Sequence, residues 1–173
     1  MARTIVRIDE WATAFPTKNP KKYEDLRKRA YDSADVIRFI SDYLTDCDIG
    51  LESDIVRKSL QETIFYSVGT GVDLEHVDVE DRLRRFLRLR GATGFLRRFL
   101  CLHVFNIVWF QTVDSFRESS RSQTAFMSEM ERVEQLCRQV VDSVWKSQKV
   151  QSPMHLTGAQ ELVLRIVQRL QGL

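Results

Sequence analysis

Residues 95–116 read FLRRFLCLHVFNIVWFQTVDSF, and this stretch decides the fold. Between Phe99 and Phe110 only His103 and Asn106 are polar, so a helix formed here is apolar around most of its circumference. Such a helix has to be enclosed by other helices. The stretch therefore predicts a central helix over residues 95–118. We expect its aromatic residues Phe105 and Trp109, four positions apart, to be nearly fully buried.

Apolar residues recur at helical spacing on both sides of this stretch, with capping residues and glycines at the expected ends. Gly91 and Gly94 separate the central helix from the helix before it. The additional helices are predicted over residues 20–44, 53–68, 78–90, 124–149 and 157–171. Short connections between helices of this length are typical of an antiparallel bundle. The sequence therefore predicts an all-α bundle of about six helices around the central apolar helix.

The length of 173 residues fits one domain, so we expect residues 1–173 to form a single all-helical unit. Residues 1–19 contain two X-Pro steps, which disfavour helix at the preceding residue. This segment is interpreted as an N-terminal arm with one short helix. Trp11 and Phe15 lie four positions apart, and we expect them to pin the arm onto the body.

Charge, cysteine usage and hydropathy indicate an intracellular protein, cytoplasmic or nuclear. The formal net charge is only +2, so a role for charge depends on where the charged residues lie. Cys47, Cys101 and Cys137 are odd in number and widely spaced, which is typical of reduced thiols and excludes zinc-type spacing. The N-terminal sequence has no apolar segment of the secretory kind. No 18-residue apolar window is recognised, so no membrane association is predicted.

Arginine is concentrated between residues 82 and 98, where the chain has neither lysine nor an acidic residue. These arginines are Arg82, Arg84, Arg85, Arg88, Arg90, Arg97 and Arg98. One interpretation is a solvated helix face whose charges pair with the acidic stretch just before it. The other is a docking site, since the planar guanidinium binds carboxylates and phosphates with two parallel hydrogen bonds. An acidic protein and a nucleic-acid backbone both fit the second interpretation.

The segment Arg98-Phe-Leu-Cys-Leu-His103 places an arginine and a histidine near the start of the central helix, with four residues between them. This spacing is similar to the motif of the HEPN family, all-α domains many of which are dimeric, metal-independent ribonucleases. The resemblance implies that His103 acts in general acid/base chemistry and that Arg98 steadies phosphate. The alternative is that His103 is a satisfied polar residue on a stripe with Asn106, Asp114 and Arg117.

Four acidic residues and one histidine before and within the 78–90 helix are candidate metal ligands. Asp73, Glu75, His76, Asp78 and Asp81 could hold a divalent cation, but acidic residues at a helix N-terminus need no metal to explain them. The sequence has no phosphate-binding loop, nucleophile elbow or glycine-rich dinucleotide turn. We therefore predict neither a metal site nor a cofactor.

These observations lead to two functional hypotheses and one expectation about assembly. The first hypothesis is a non-catalytic helical interaction module, as a domain of a larger protein, that docks an acidic partner or a phosphate backbone through its arginines. The alternative is an RNA-binding or ribonuclease domain that uses Arg98 and His103. Apolar residues left over at a loop end, Val72, Leu74, Val77 and Val79, also indicate pairing of two copies in a homodimer.

Overall fold

The computed structural model describes residues 1–17, 32–45, 51–69, 78–119 and 122–172. These residues form six α-helices: α1 (Ala2–Ala14), α2 (Ser33–Thr45), α3 (Leu51–Val68), α4 (Val79–Ser119), α5 (Gln123–Gln148) and α6 (Leu156–Gln171). No strand occurs in these ranges, and the helices pack against one another. The predicted all-α bundle is confirmed.

Helix α4 is the centre of the bundle, because α1, α2, α3 and α5 all contact it. Its neighbours α3 and α5 run antiparallel to it. On the α3 side, Ser59 lies against His103 while Val68, later in α3, accepts a hydrogen bond from Arg82. On the α5 side, Trp109 contacts Phe126 with a ring-centroid distance of 5.8 Å. The central helix predicted over residues 95–118 is therefore confirmed.

A break at Gly91 divides α4 into two segments. Gly91 has φ 70° and ψ 171°, which is outside helical geometry and in a region that only glycine adopts without strain. The break lies where the sequence predicts the end of the 78–90 helix. Because the helix resumes at once, the two predicted helices are continuous across a kink, and the arginines before Gly91 follow a different axis from those after it.

The segment interpreted as an N-terminal arm is a helix of the core. Ile5, Ile8 and Phe15 are fully buried, and Trp11 is 3% exposed. The Trp11 ring lies 5.7 Å from the ring of Phe95 on α4, so the aromatic contact expected from the sequence is present. It joins an integral helix, α1, to the bundle centre.

Asp9 on α1 fixes the connection between α5 and α6. This side chain is fully buried, and its Oδ2 accepts hydrogen bonds from the Met154 backbone N–H at 2.7 Å and from Ser152 Oγ at 3.1 Å. A buried carboxylate of this kind needs such donors, because desolvation penalises an unpaired charge. The entry to α6 is thereby held against α1.

Burial along α4 is greatest before residue 101, which contradicts the expectation for Phe105 and Trp109. Phe95, Leu96 and Phe99 are fully buried, whereas Phe105 and Trp109 are only half-buried. In the C-terminal part of α4, Trp109 meets Phe126 of α5, and Lys58 of α3 lies over the exposed Phe110 ring. The apolar composition around residue 105 correctly indicates a packed helix but not the depth of burial.

One predicted helix and the residues predicted to pair two copies lie partly outside the described ranges. Of the helix predicted over residues 20–44, residues 20–31 lie outside the described ranges, and α2 begins at Ser33. Asp32 precedes it as a cap, since Asp32 Oδ1 accepts the Asp35 backbone N–H at 2.7 Å. The Val72, Leu74 and Val77 side chains proposed for self-association also lie outside the described ranges. Val79 is 2% exposed in the core and is not available to a second copy.

One helix in the described part of the chain, Val79–Glu118, meets the length and composition criteria for crossing a membrane. The expectation that no such window exists is therefore wrong. A mostly buried core helix can meet the same criteria; four other helices contact this one, and 28% of its most apolar 18-residue window is buried. Its buried polar residues His103 and Asn106 both meet Ser59 on α3, so they are accommodated within the bundle.

The distribution of burial predicts that Phe99 contributes more to stability than Trp109. Phe99→Ala removes a fully buried ring and leaves a cavity, so we expect a loss of about 3 to 5 kcal/mol in the free energy of unfolding. The half-buried Trp109 should cost less on replacement by alanine. Arg90→Ala, on the exposed face, is the control and should change stability by no more than about 0.5 kcal/mol. Chemical denaturation measures the free energy of unfolding of the three variants. A larger loss for Trp109→Ala than for Phe99→Ala would contradict the prediction.

Candidate functional site

The seven arginines divide into two groups at the Gly91 kink. Arg82, Arg85, Arg88 and Arg90 are exposed on the first segment of α4, and Arg84 is half-buried there. Arg97 and Arg98 are exposed on the second segment and face a separate cleft beside α5. The sequence run is therefore not one continuous surface. We call the exposed set Arg82, Arg85, Arg88, Arg90 and Leu89 the arginine edge.

Contacts of three arginines hold this segment of α4 to the ends of α1 and α3. Arg84 lies over the Phe15 ring, 4.5 Å from its centroid, and donates a hydrogen bond to the Phe15 carbonyl. Arg88 Nη2 reaches the Pro16 carbonyl at 3.4 Å, and Arg82 Nη1 reaches the Val68 carbonyl at 3.2 Å. Both carbonyls follow or end a helix, where backbone acceptors need partners. These contacts hold the arginine edge in a fixed position relative to α1 and α3.

The exposed guanidinium groups of the arginine edge are not neutralised within the described ranges. Arg82, Arg85, Arg88 and Arg90 form no ion pair with any residue in those ranges. The predicted acidic partners Asp73 and Glu75 fall outside the part of the chain that the structure describes.

Asp78 lies next to the arginine edge but acts as a helix cap. Its Oδ1 accepts the Asp81 backbone N–H at 3.1 Å, which satisfies one donor of the first turn of α4.

Leu89 is the feature of the arginine edge that the charge pattern did not identify. It is 77% exposed, although it lies between arginines on a structured helix. Leu89 follows Arg82 by seven positions and Arg85 by four, so the three side chains share one face of the helix. The groove along this face is lined by Asp78, Asp81, Arg82, Arg84, Arg85, Arg88 and Leu89. The arginine edge is therefore a cationic surface with the apolar Leu89 side chain at its centre.

The cleft on the other side of the kink contains Arg97 and Arg98. Arg97 forms a bidentate ion pair with Asp142 on α5, with both N–O distances 2.6 Å. This hydrogen-bonded carboxylate raises the pKa of Arg97. Arg98 instead lies over the ring of Tyr66, 5.4 Å from its centroid. The two arginines are neighbours in sequence but have different partners.

His103 lies in a buried polar cluster between α3 and α4. Ser59 Oγ donates to the Ile55 carbonyl at 2.7 Å and has no second hydrogen to give, so it accepts from its other neighbours. These are Asn106 Nδ2 at 3.1 Å and His103 Nδ1 at 3.4 Å. Asn106 Nδ2 also donates to Glu62 at 2.8 Å. His103 therefore carries its proton on Nδ1.

The environment of His103 favours the neutral imidazole. The side chain is 3% exposed, its ring stacks on Phe99, and its Nε2 is buried without a hydrogen-bond partner. Burial lowers the pKa of His103 from 6.5 to about 4, and the positive N-terminal amine acts in the same direction. Protonation of Nε2 would place a charged donor where no acceptor faces it.

Arg98 and His103 do not converge within this chain. Five positions along a helix correspond to about 140° of rotation, so the two side chains leave α4 on different sides. Arg98 lies at the surface over Tyr66 of α3 and lines the cleft beside α5, whereas His103 is buried against Ser59 of α3. The alternative interpretation of His103, as a polar residue of the stripe that includes Asn106, fits the contact of its Nδ1 with Ser59, although its Nε2 has no hydrogen-bond partner within the described ranges.

Potential metal ligands are dispersed among the described residues, and the two cysteines there are free thiols. No group of three or more histidine, cysteine or acidic side chains is arranged to hold a metal ion there, and Asp73, Glu75 and His76 lie outside those ranges. Cys101 is half-buried and Cys137 is buried, and both are free thiols. Burial raises the pKa of each to about 11, so both remain protonated at neutral pH.

Comparisons with family models, with curated proteins and with solved structures find no match to this chain.

The buried imidazole predicts a loss of stability in acid. The unfolded chain binds a proton on His103 near pH 6.5, whereas the folded chain does so only near pH 4. Above about pH 6.5 the neutral His103 causes no loss in the free energy of unfolding. As the pH falls from about 6.5 to about 4, the free energy of unfolding decreases by about 3 kcal/mol, because the unfolded chain binds the proton more tightly. His103→Leu should reduce this acid dependence of the free energy of unfolding. His155→Gln, which changes an exposed histidine, is the control, and equal pH slopes in all three proteins would contradict the assignment.

The separation of Arg98 from His103 predicts that the folded chain does not cleave RNA through this pair. Incubation of mixed-sequence RNA with the protein, with and without chelator, should give no product above background. Cleavage in the presence of chelator that is lost in both Arg98→Gln and His103→Leu would contradict this expectation. Circular dichroism of both variants distinguishes lost chemistry from lost fold.

Proposed function

We propose that this chain is a non-catalytic, intracellular helical interaction module whose arginine edge docks an acidic, amphipathic segment of a protein partner. The observation that carries the proposal is Leu89, 77% exposed in the middle of exposed arginines that form no ion pair within the described ranges. Cationic and apolar groups on one face are complementary to a segment that presents carboxylates around a buried apolar side chain.

Electrostatics supports the acidic character of the partner. Four exposed guanidinium groups within nine residues, from Arg82 to Arg90, raise the local positive potential although the whole chain carries only +2. Arginine keeps its charge at any physiological pH and presents a planar fork to carboxylates. Screening by salt should weaken such contacts, since they lie at the surface.

Support of the arginine edge by α1 and α3 reduces the entropic cost of binding. The hydrogen bonds of Arg82 and Arg88 to the Val68 and Pro16 carbonyls restrict these side chains before a partner arrives. Surfaces that are ordered in advance lose less conformational freedom on association. The helix segment from Val79 to Arg90 is about 18 Å long, which matches about three turns of a partner helix.

A protein partner is favoured over a nucleic-acid backbone for two reasons. Covering an exposed leucine with an apolar side chain of a partner stabilises the complex, because apolar surface is removed from water. A phosphate backbone has no apolar group that could do this. Asp78 and Asp81 also line the groove, where they repel phosphates along one side. A protein segment can avoid these positions or place a basic residue there.

A synthetic peptide tests the proposal. The probe is an 18-residue helix-forming peptide with leucine on one face and glutamates beside it, titrated by fluorescence anisotropy in low and in physiological salt. We expect binding that weakens with salt and is reduced about 100-fold by the triple variant Arg85→Glu, Arg88→Glu and Arg90→Glu. Leu89→Ser should reduce it about tenfold, because one buried leucine contact is lost.

Arg132→Glu is the matched control, since Arg132 is exposed on α5 and away from the groove. Its peptide affinity should stay within about twofold of the unmodified protein. Binding that survives the triple replacement, or no binding at about millimolar peptide, contradicts the proposal. If single-stranded RNA of 20 nucleotides binds more tightly than the peptide and Leu89→Ser has no effect, the partner is a nucleic acid instead.

A further inference from the structure

A cleft of about 320 Å³ lies between α4 and α5, with Tyr66 of α3 at one side. Its lining combines three arginines with two acidic residues and a short apolar wall. This volume is at the lower end of the range that small-molecule sites occupy. None of the residues of the arginine edge contributes to the cleft, so a ligand bound there is independent of the proposed docking function.

The charges of the cleft leave one arginine uncompensated. Arg97 is neutralised by its bidentate pair with Asp142. Arg138 is paired with Glu134 on the same helix at 2.9 Å. Arg98 forms no ion pair with any residue in the described ranges. Three positive and two negative side chains therefore leave a single positive charge.

Tyr66 orients the uncompensated guanidinium. The Arg98 guanidinium carbon lies 5.4 Å from the centre of the Tyr66 ring, so the aromatic face holds the cation without consuming its hydrogen-bond donors. A planar guanidinium with free N–H groups binds a carboxylate through two parallel hydrogen bonds. Phosphate is also bound by arginine, so charge must decide between the two.

The remainder of the cleft suits an apolar body. Leu102 and the Cys101 thiol are half-buried along its wall. Desolvation keeps the thiol protonated, because burial raises the pKa of Cys101 to about 11. This wall therefore adds no negative charge that would oppose an anion, and it offers apolar surface next to the Arg98 guanidinium.

We propose that this cleft binds a ligand with one carboxylate and a small apolar group, with the carboxylate on Arg98 and the apolar group against Leu102 and Cys101. A single negative charge matches the single unpaired positive charge. A dianionic phosphate ester would leave an excess negative charge close to Glu134 and Asp142, which repel it. The carboxylate can belong to a free organic acid or to the C-terminus of a peptide.

Titration of the isotopically labelled protein by NMR tests the site, with the Gly94 amide in the cleft as reporter. The probes are 3-phenylpropionate, its uncharged methyl ester, phenyl phosphate, and acetyl-Gly-Phe as free acid and as amide. Both acids should shift the Gly94 signal, and the ester and the amide should bind about tenfold more weakly. Tighter binding of acetyl-Gly-Phe identifies a peptide C-terminus as the source, and tighter binding of 3-phenylpropionate identifies a free acid.

Two variants test the charge argument. Arg98→Gln should weaken both acids about tenfold, whereas Arg132→Gln, on the exposed face of α5, should leave them unchanged. Glu134→Gln leaves two uncompensated positive charges, so phenyl phosphate should gain about tenfold. Circular dichroism verifies that each variant is folded.

The proposal is wrong if the ester binds as well as the acid, if Arg98→Gln has no effect, or if phenyl phosphate binds the unmodified protein more tightly than the acids do. It is equally wrong if Gly94 does not respond at about 10 mM ligand.

Discussion

Packing of α1 onto the central helix just beyond the Gly91 kink is the contact on which the rest of the structure depends. Trp11 meets both Phe15 and Phe95, with ring-centroid distances of 4.6 and 5.7 Å. The contact brings the end of α1 to the first segment of α4, where Arg84 covers the Phe15 ring. Large aromatic groups contribute most of the buried area at such junctions. Both arginine groups are positioned by it, because it fixes the two segments of α4 on either side of the break.

The sequence predicted the helices well and the contacts between them poorly. Apolar periodicity located α3, α4 and α5 to within a few residues, since that pattern reflects one helix at a time. The same periodicity was present in residues 5–15, with Ile5, Ile8, Trp11 and Phe15 at helical spacing, but the X-Pro steps nearby favoured an arm. Depth of burial depends on how far neighbouring helices extend. Composition alone could not show that Phe99 is fully buried and Trp109 is not.

The sequence predicts which residues form the candidate sites but not which residues they contact. The run from Arg82 to Arg98 identified an unusual cationic segment, and arginine–phosphate or arginine–carboxylate chemistry is expected of it. Its division into the arginine edge and the residues of a separate cleft depends on the direction of α4 after Gly91. It also depends on Asp142, which is 45 positions from Arg97 in sequence. An ion pair between residues so far apart in sequence forms only when two helices pack in one particular register. Apolar periodicity in a single sequence does not predict that register.

The polar cluster between α3 and α4 supplies part of that register. Ser59 Oγ accepts from both Asn106 and His103 while donating to its own helix, so the two residues on α4 meet one atom on α3. A slide of either helix by one turn, about 5.4 Å, would separate Asn106 from both Ser59 and Glu62 and leave buried donors unsatisfied. Apolar contacts tolerate such a slide more readily, because they are not directional. The cluster thus selects one register of α3 on α4. That register places Tyr66 over Arg98 and the Val68 carbonyl next to Arg82, so a buried contact fixes the geometry of both cationic surfaces.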